Sequence, residues 1–131
     1  MGEALFIAKR NEAGLDFSIY SAGIQAMLGW AADPLTVELL AEKKGIDMSH
    51  HRAQQATPPL LLKSDLILTM DTEQQVQLET TLPSIRGRVH RIGKWGQYDV
   101  PDPYKRPKAA FEQAFALIEQ GVDDWYRTFW N

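Results

Sequence analysis

The stretch Val100-Pro101-Asp102-Pro103-Tyr104-Lys105 has the residue types and spacing for proton chemistry. Proline fixes its own φ and drives the preceding residue towards extended backbone, so Pro101 and Pro103 put Asp102 on a stiff mount. A carboxyl group held in place on a loop suits general acid catalysis, where geometry comes before pKa. The same residues are also good turn formers, because Asp and Pro dominate turns for purely local reasons. On local grounds both readings stand. Asp71, His50-His51 and Lys105-Arg106 are the other groups that invite a chemical reading. No second ligand cluster accompanies the histidine pair, which favours solvation or structural support over metal binding. Lys105-Arg106 could meet a phosphate or simply be solvated. The chain contains no cysteine. That removes disulfides, thiolate metal sites and a cysteine nucleophile from what these residues can supply.

The elements that must position these groups follow from periodicity and stop signals. Met1 to Ala13 reads as a helix of good formers closed by Gly14, and it begins without a capping residue or a strand before it. Asp16 to Ser21 alternates polar and apolar residues and predicts a short strand. Asp33-Pro34 is a helix start, with Asp as N-cap and Pro in the first turn, and Lys43-Lys44-Gly45 is the matching stop. Thr57-Pro58-Pro59 opens a short helix through Leu62. The apolar run Leu66 to Met70 predicts a strand buried on both faces, as parallel strands are. Asp71-Thr72 can cap a helix over about Glu73 to Thr80, and Arg88 to Ile92 is a further strand. Gly93 to Pro107 is a long loop, which in a compact domain is more often functional than not. In the C-terminal helix, Phe111, Ala114, Phe115, Ile118, Val122, Trp125 and Phe129 form one apolar stripe at helical spacing.

With 131 residues, 44% hydrophobic and 24% charged, the chain reads as a single domain over 1–131 with a real core. Its net charge of −3, from 14 basic and 17 acidic residues, offers no basis for binding nucleic acid or an acidic membrane surface. No apolar run reaches membrane-helix length and no signal peptide is visible, so a cytoplasmic location is the expectation. Strands alternating with helices predict an α/β fold, a parallel twisted sheet flanked by helices. Ligands bind beyond the carboxyl ends of such strands. Ser21, Asp71 and the Asp102 loop all follow predicted strands and could share that edge.

Taken in order, Glu3-Ala4-Leu5-Phe6, Ser21-Ala22-Gly23, Ala32-Asp33-Pro34, Gly45-Ile46-Asp47-Met48-Ser49, His51-Arg52-Ala53, Asp65-Leu66-Ile67-Leu68, Met70-Asp71, Pro101-Asp102-Pro103-Tyr104 and Phe111-Glu112 resemble the low-molecular-weight protein tyrosine phosphatases. The resemblance implies the flavodoxin-like fold of that family and hydrolysis of phosphotyrosine, on a protein or as an aryl phosphate, through a cysteinyl-phosphate. It implies no cofactor and no metal. Asp102 matches the family's general acid and Tyr104 the aromatic wall beside a bound phenyl ring, with Met27 and Leu28 in the loop of the opposite wall. Ser21 and His51 match groups that support the phosphate-binding loop from beneath. Trp30 and Trp95 align only loosely, and Asp71 matches an acid after the third family strand without an assigned role.

The family's first strand and its loop of Cys, five residues and Arg have no counterpart in these residues. The expectation is therefore an N-terminally truncated domain that is catalytically inactive as it stands. A non-catalytic phosphatase-like binding or regulatory protein is the alternative, and an arsenate reductase of the same fold would also need cysteines. A missing inner strand would expose the edges of Phe17–Ser21 and Leu66–Met70, where each unpaired buried backbone group costs on the order of 1–3 kcal/mol. Repair by a homo-oligomer or strand-exchanged dimer is the expectation, with direct closure or a donated strand as the other routes.

Overall fold

A computed structural model of the chain describes residues 2–23, 34–47 and 54–129. In chain order the elements are helix α1 (Gly2–Ala13), α2 (Pro34–Lys44), α3 (Pro58–Leu62), strand β1 (Ile67–Thr69), α4 (Thr72–Thr81), strand β2 (Val89–Arg91) and α5 (Lys108–Phe129). Short 3-10 turns occupy Pro83–Ile85 and Lys94–Gly96. The architecture is α/β, a parallel sheet flanked by helices, as the residue pattern predicts.

β1 and β2 run parallel, with Ile67 opposite Val89 and Thr69 opposite Arg91. Parallel strands need a long crossover, and α4 supplies it. Side chains alternate faces along a strand, and the packing follows that period. Ile67 and Val89 face α4, where they pack with Leu78 and Ile85. Leu68 points the other way, into the larger core built by α1, α2 and α5. The strand is not buried on both faces as the apolar run predicts, since Ile67 and Leu68 are only half-buried. It is also shorter than predicted. Met70 leaves the ladder because the Gln74 side chain takes its N–H at 2.9 Å and the Val100 N–H takes its carbonyl at 2.8 Å.

Asp16 to Ser21 departs further from expectation. From Leu15 to Tyr20 burial alternates residue by residue, with Leu15, Phe17 and Ile19 turned to the core, yet among the described residues this extended segment joins no sheet. The Phe17 carbonyl accepts from the Arg10 guanidinium at 2.7 Å. Alternation reports which face is apolar and says nothing about whether a partner strand is alongside.

The helix boundaries follow their stop signals. Gly14 has φ of 70°, and the Leu15 N–H reaches back to the Arg10 carbonyl at 3.0 Å, closing α1. Gly45, with φ of 65°, does the same for α2, which begins at Pro34; its expected cap Asp33 lies outside the described residues. Asp71 caps α4, its carboxylate accepting from the Gln74 N–H at 2.8 Å.

α5 is the spine of the larger core. Its stripe is buried from Phe111 to Trp125, whereas Phe129 is 58% exposed and stacks on Trp125 with centroids 5.3 Å apart. The helix simply outruns the core. Trp125, fully buried, donates its indole N–H to the carbonyls of Ile92 at 3.0 Å and Arg91 at 3.2 Å. The buried Tyr126 hydroxyl donates to the Phe6 carbonyl at 2.7 Å, and burial pushes that phenol up to about 12. Gly121 permits the close approach, because a Cβ there would sit 2.7 Å from the Ile92 carbonyl oxygen. Among the described residues no helix is long and apolar enough to cross a membrane.

Gly121→Ala should force α5 away from the end of β2. Overpacking of this kind costs about 1–3 kcal/mol, read as a fall in the midpoint of chemical denaturation. An unchanged midpoint would show that the contact has room to spare.

Candidate functional site

The loop from Gly93 to Pro107 is held at several points before it reaches Asp102. It opens with a close turn, in which the Tyr98 N–H donates to the Gly93 carbonyl at 3.1 Å. A side chain at Gly93 would clash, since its Cβ would lie 2.3 Å from the Tyr98 carbonyl oxygen. The Tyr98 hydroxyl donates to the Leu117 carbonyl of α5 at 2.6 Å. Asp99 then accepts from the Thr72 N–H at 3.2 Å, the Thr72 hydroxyl at 3.0 Å and the Arg91 guanidinium at 2.9 Å. The Arg91 hydrogen bond, with help from both Thr72 groups and against some desolvation, holds the Asp99 carboxyl below the usual carboxylate range. Val100 is buried and its N–H donates to Met70.

Beyond Val100 the chain emerges into solvent. Asp102 is exposed, and its Oδ1 accepts from the Tyr104 N–H at 3.0 Å. The Arg106 N–H donates to the Pro103 carbonyl at 2.9 Å, closing a turn in which Lys105 has φ of 62°. Left-handed backbone is uncommon for a residue with a Cβ, and here it belongs to the turn that the Arg106–Pro103 hydrogen bond closes. Tyr104 is 46% exposed, with the Lys105 ammonium 5.5 Å from its ring centroid. The local geometry is a turn, and it presents an acid beside an aromatic ring.

The turn's exit is tied as well, for Lys108 pairs with Glu38 at 2.8 Å and Glu42 at 3.4 Å on α2. Ser21 sits elsewhere in the chain but reaches the same edge of the sheet. Its hydroxyl donates to Glu3 in the first turn of α1 at 2.8 Å. Next to Glu3, Gly2 lies against Met70, so close that a Cβ there would be 3.2 Å from the methionine methyl. Met70 in turn holds Val100. Ser21, the start of α1, the end of β1 and the acid loop thus form one connected set. The Gln54 side chain closes on the Ser21 carbonyl at 2.7 Å, and Gly23 bridges to Gln55 in parallel.

Met27, Leu28, Trp30 and the His50-His51 pair lie outside the described residues. Trp95, which aligned loosely with a pocket wall, is committed to an aromatic cluster with Trp125 at 5.4 Å and Phe129 at 5.8 Å, under the Lys94 ammonium at 4.9 Å. Asp71 serves as the α4 cap. Asp99, Thr72 and Arg91 were not legible as site residues, because nothing in a Tyr-Asp-Val run or a lone Arg signals a partner 27 or 8 positions away. Among the described residues no cluster of His, Asp and Glu could hold a metal ion. Chemically, the arrangement offers an exposed carboxyl group and an exposed aromatic ring beyond the carboxyl ends of parallel strands, the place where such sheets bind ligands.

Comparison with known proteins agrees with that architecture. The low molecular weight protein-tyrosine-phosphatase Ptp of Acinetobacter johnsonii is 40% identical over 122 residues, 93% of this chain and 84% of that protein. The structure of Erwinia amylovora tyrosine phosphatase amsI superposes with a TM-score of 0.88 at 34% identity, covering 99% of this chain and 83% of that one. Vibrio vulnificus Wzb, solved in complex with benzylphosphonate, gives 0.87 at 32% identity over 98% of this chain and 88% of its own. The family of low molecular weight phosphotyrosine protein phosphatases matches residues 1–130. The chain belongs to that family.

Proposed function

We propose that these residues form the leaving-group side of a phosphotyrosine phosphatase site, acting on a phosphotyrosyl protein or an aryl phosphate. Asp102 is the general acid and Tyr104 the wall against which the phenyl ring stacks. Met27 and Leu28 are the residues of the facing wall, and Ser21 and His51 are those that would support a phosphate loop if one were supplied. The observation that carries the reading is the mount of Asp102, exposed at the tip of a loop whose base is tied to β1, β2 and α4. The related Vibrio Wzb was solved with benzylphosphonate, an aromatic ring joined to a phosphonate, which is the ligand shape this site would take.

In the covalent route a thiolate sulfur bonds to phosphorus as the P–O ester bond breaks. The departing tyrosyl oxygen takes the proton of the general acid. These 131 residues contain no cysteine. The polypeptide as it stands therefore holds the proton donor without the nucleophile, and we infer that it does not turn over phosphate esters by this route.

Self-association belongs to the same reading. It is supported by β1 pairing with β2 alone among the described residues. An apolar, alternating edge invites pairing with another strand.

Assayed with p-nitrophenyl phosphate, the chain should show no turnover above the blank, and Asp102→Asn should change nothing. Extended at its N-terminus by a strand and a Cys-x5-Arg-Ser-Pro loop, it should gain phosphatase activity that Asp102→Asn lowers by about 10²–10⁴-fold. Turnover by the unextended chain that depends on Asp102 would refute the inert reading; an extended enzyme indifferent to Asp102→Asn would refute the acid assignment. Light scattering coupled to size-exclusion chromatography should give at least a dimer at micromolar concentration, and a clean monomer would count against strand repair by self-association.

A further inference from the structure

The geometry points to Asp99 as the positioning residue of the acid loop, a carboxylate that fixes where Asp102 stands without touching the substrate. Its partners come from two elements, Arg91 at the end of β2 and both the N–H and hydroxyl of Thr72 in the first turn of α4. A carboxylate at a helix N-terminus also meets the favourable end of the helix dipole. An isolated surface ion pair would hold a loop weakly. Here the pair is reinforced by two further hydrogen bonds, and the Arg91 side chain is only 25% exposed. The next residue, Val100, is buried and bonded to Met70 at 2.8 Å. Only Val100 and Pro101 separate the anchor from Asp102, and a proline transmits direction because its φ is fixed. A shift at Asp99 therefore has little slack to absorb it before the acid.

The charged group acting on Asp99 is Arg91 from β2, and Thr72 presents the N-terminus of α4, whose first turn also carries Glu73. Their combined effect keeps Asp99 ionised below the usual carboxylate range, so the anchor is complete above that range and is lost as pH falls through the lowered value.

The inference rests on Asp102 being the acid, but its first test needs no turnover. In the full chain at neutral pH, followed by amide NMR, Asp99→Asn and Thr72→Val should each speed exchange of the Val100 amide by about tenfold, with core amides of α5 unchanged. Thr72→Ser should restore it. On acidification the Val100 amide shift should carry a titration step that Asp99→Asn abolishes. In the extended, cysteine-bearing form, Asp99→Asn should lower kcat by at least about tenfold with KM little changed, as misplacement of a catalytic group does. Unchanged Val100 exchange in Asp99→Asn, or a persisting titration step, would overturn the anchor. An intact anchor with unaltered kcat would overturn its positioning role, whereas an extended enzyme indifferent to Asp102→Asn would instead remove the reading on which it rests.

Discussion

The backbone of Met70 is the junction on which the arrangement depends. Its N–H is taken by the Gln74 side chain of α4 and its carbonyl by the Val100 N–H, while its methyl group lies against Gly2 at the start of α1. A residue just past the end of a parallel strand has freed its backbone groups from the ladder, and those groups must find partners elsewhere. At Met70 the partners are the helix that follows and the loop that bears the acid. The same residue thus ends the strand and seats the loop that carries Asp102. α1, α4 and the loop all meet at this one residue, through its two backbone groups and its side chain.

Behind that junction the larger core is organised by α5. The Trp125 indole N–H closes on the two carbonyls that end β2, and the Gly121 gap lets the helix backbone come that near. Hydrophobic burial drives the packing, but these polar and steric details set its register. The acid loop springs from the same place, because Ile92 and Gly93 follow directly on β2. Loop position is therefore inherited from helix packing.

Much of this was legible in the residues. Pro34, Gly14 and Gly45 marked helix ends that the structure keeps, and the α5 stripe named the core down to Trp125. Pro-Asp-Pro-Tyr announced a turn with an acid on it, and the structure shows that turn. What periodicity could not reveal was pairing. Asp16 to Ser21 has the alternation of a strand yet, among the described residues, joins no sheet, and Leu66 to Met70 has the apolarity of a doubly covered strand with only partial cover. Long-range polar contacts were equally hidden. Asp99 reaching Thr72 and Ser21 reaching Glu3 depend on how elements dock, which short-range patterns do not encode. Asp71, offered by the residues both as a helix cap and as an acid after a strand, is the cap, its carboxylate accepting from the Gln74 N–H.

An acid that is pre-positioned before any phosphate is bound is the central claim, and it concerns a loop in a chain without cysteine. Loops of this length are ordinarily more mobile than the elements they join. Backbone ¹⁵N relaxation of the chain in solution tests the claim most directly. The account predicts order parameters at Asp102 and Tyr104 close to those of β1, about 0.85; values below about 0.6 would show a loop that finds its place only when something else orders it, and would contradict the account.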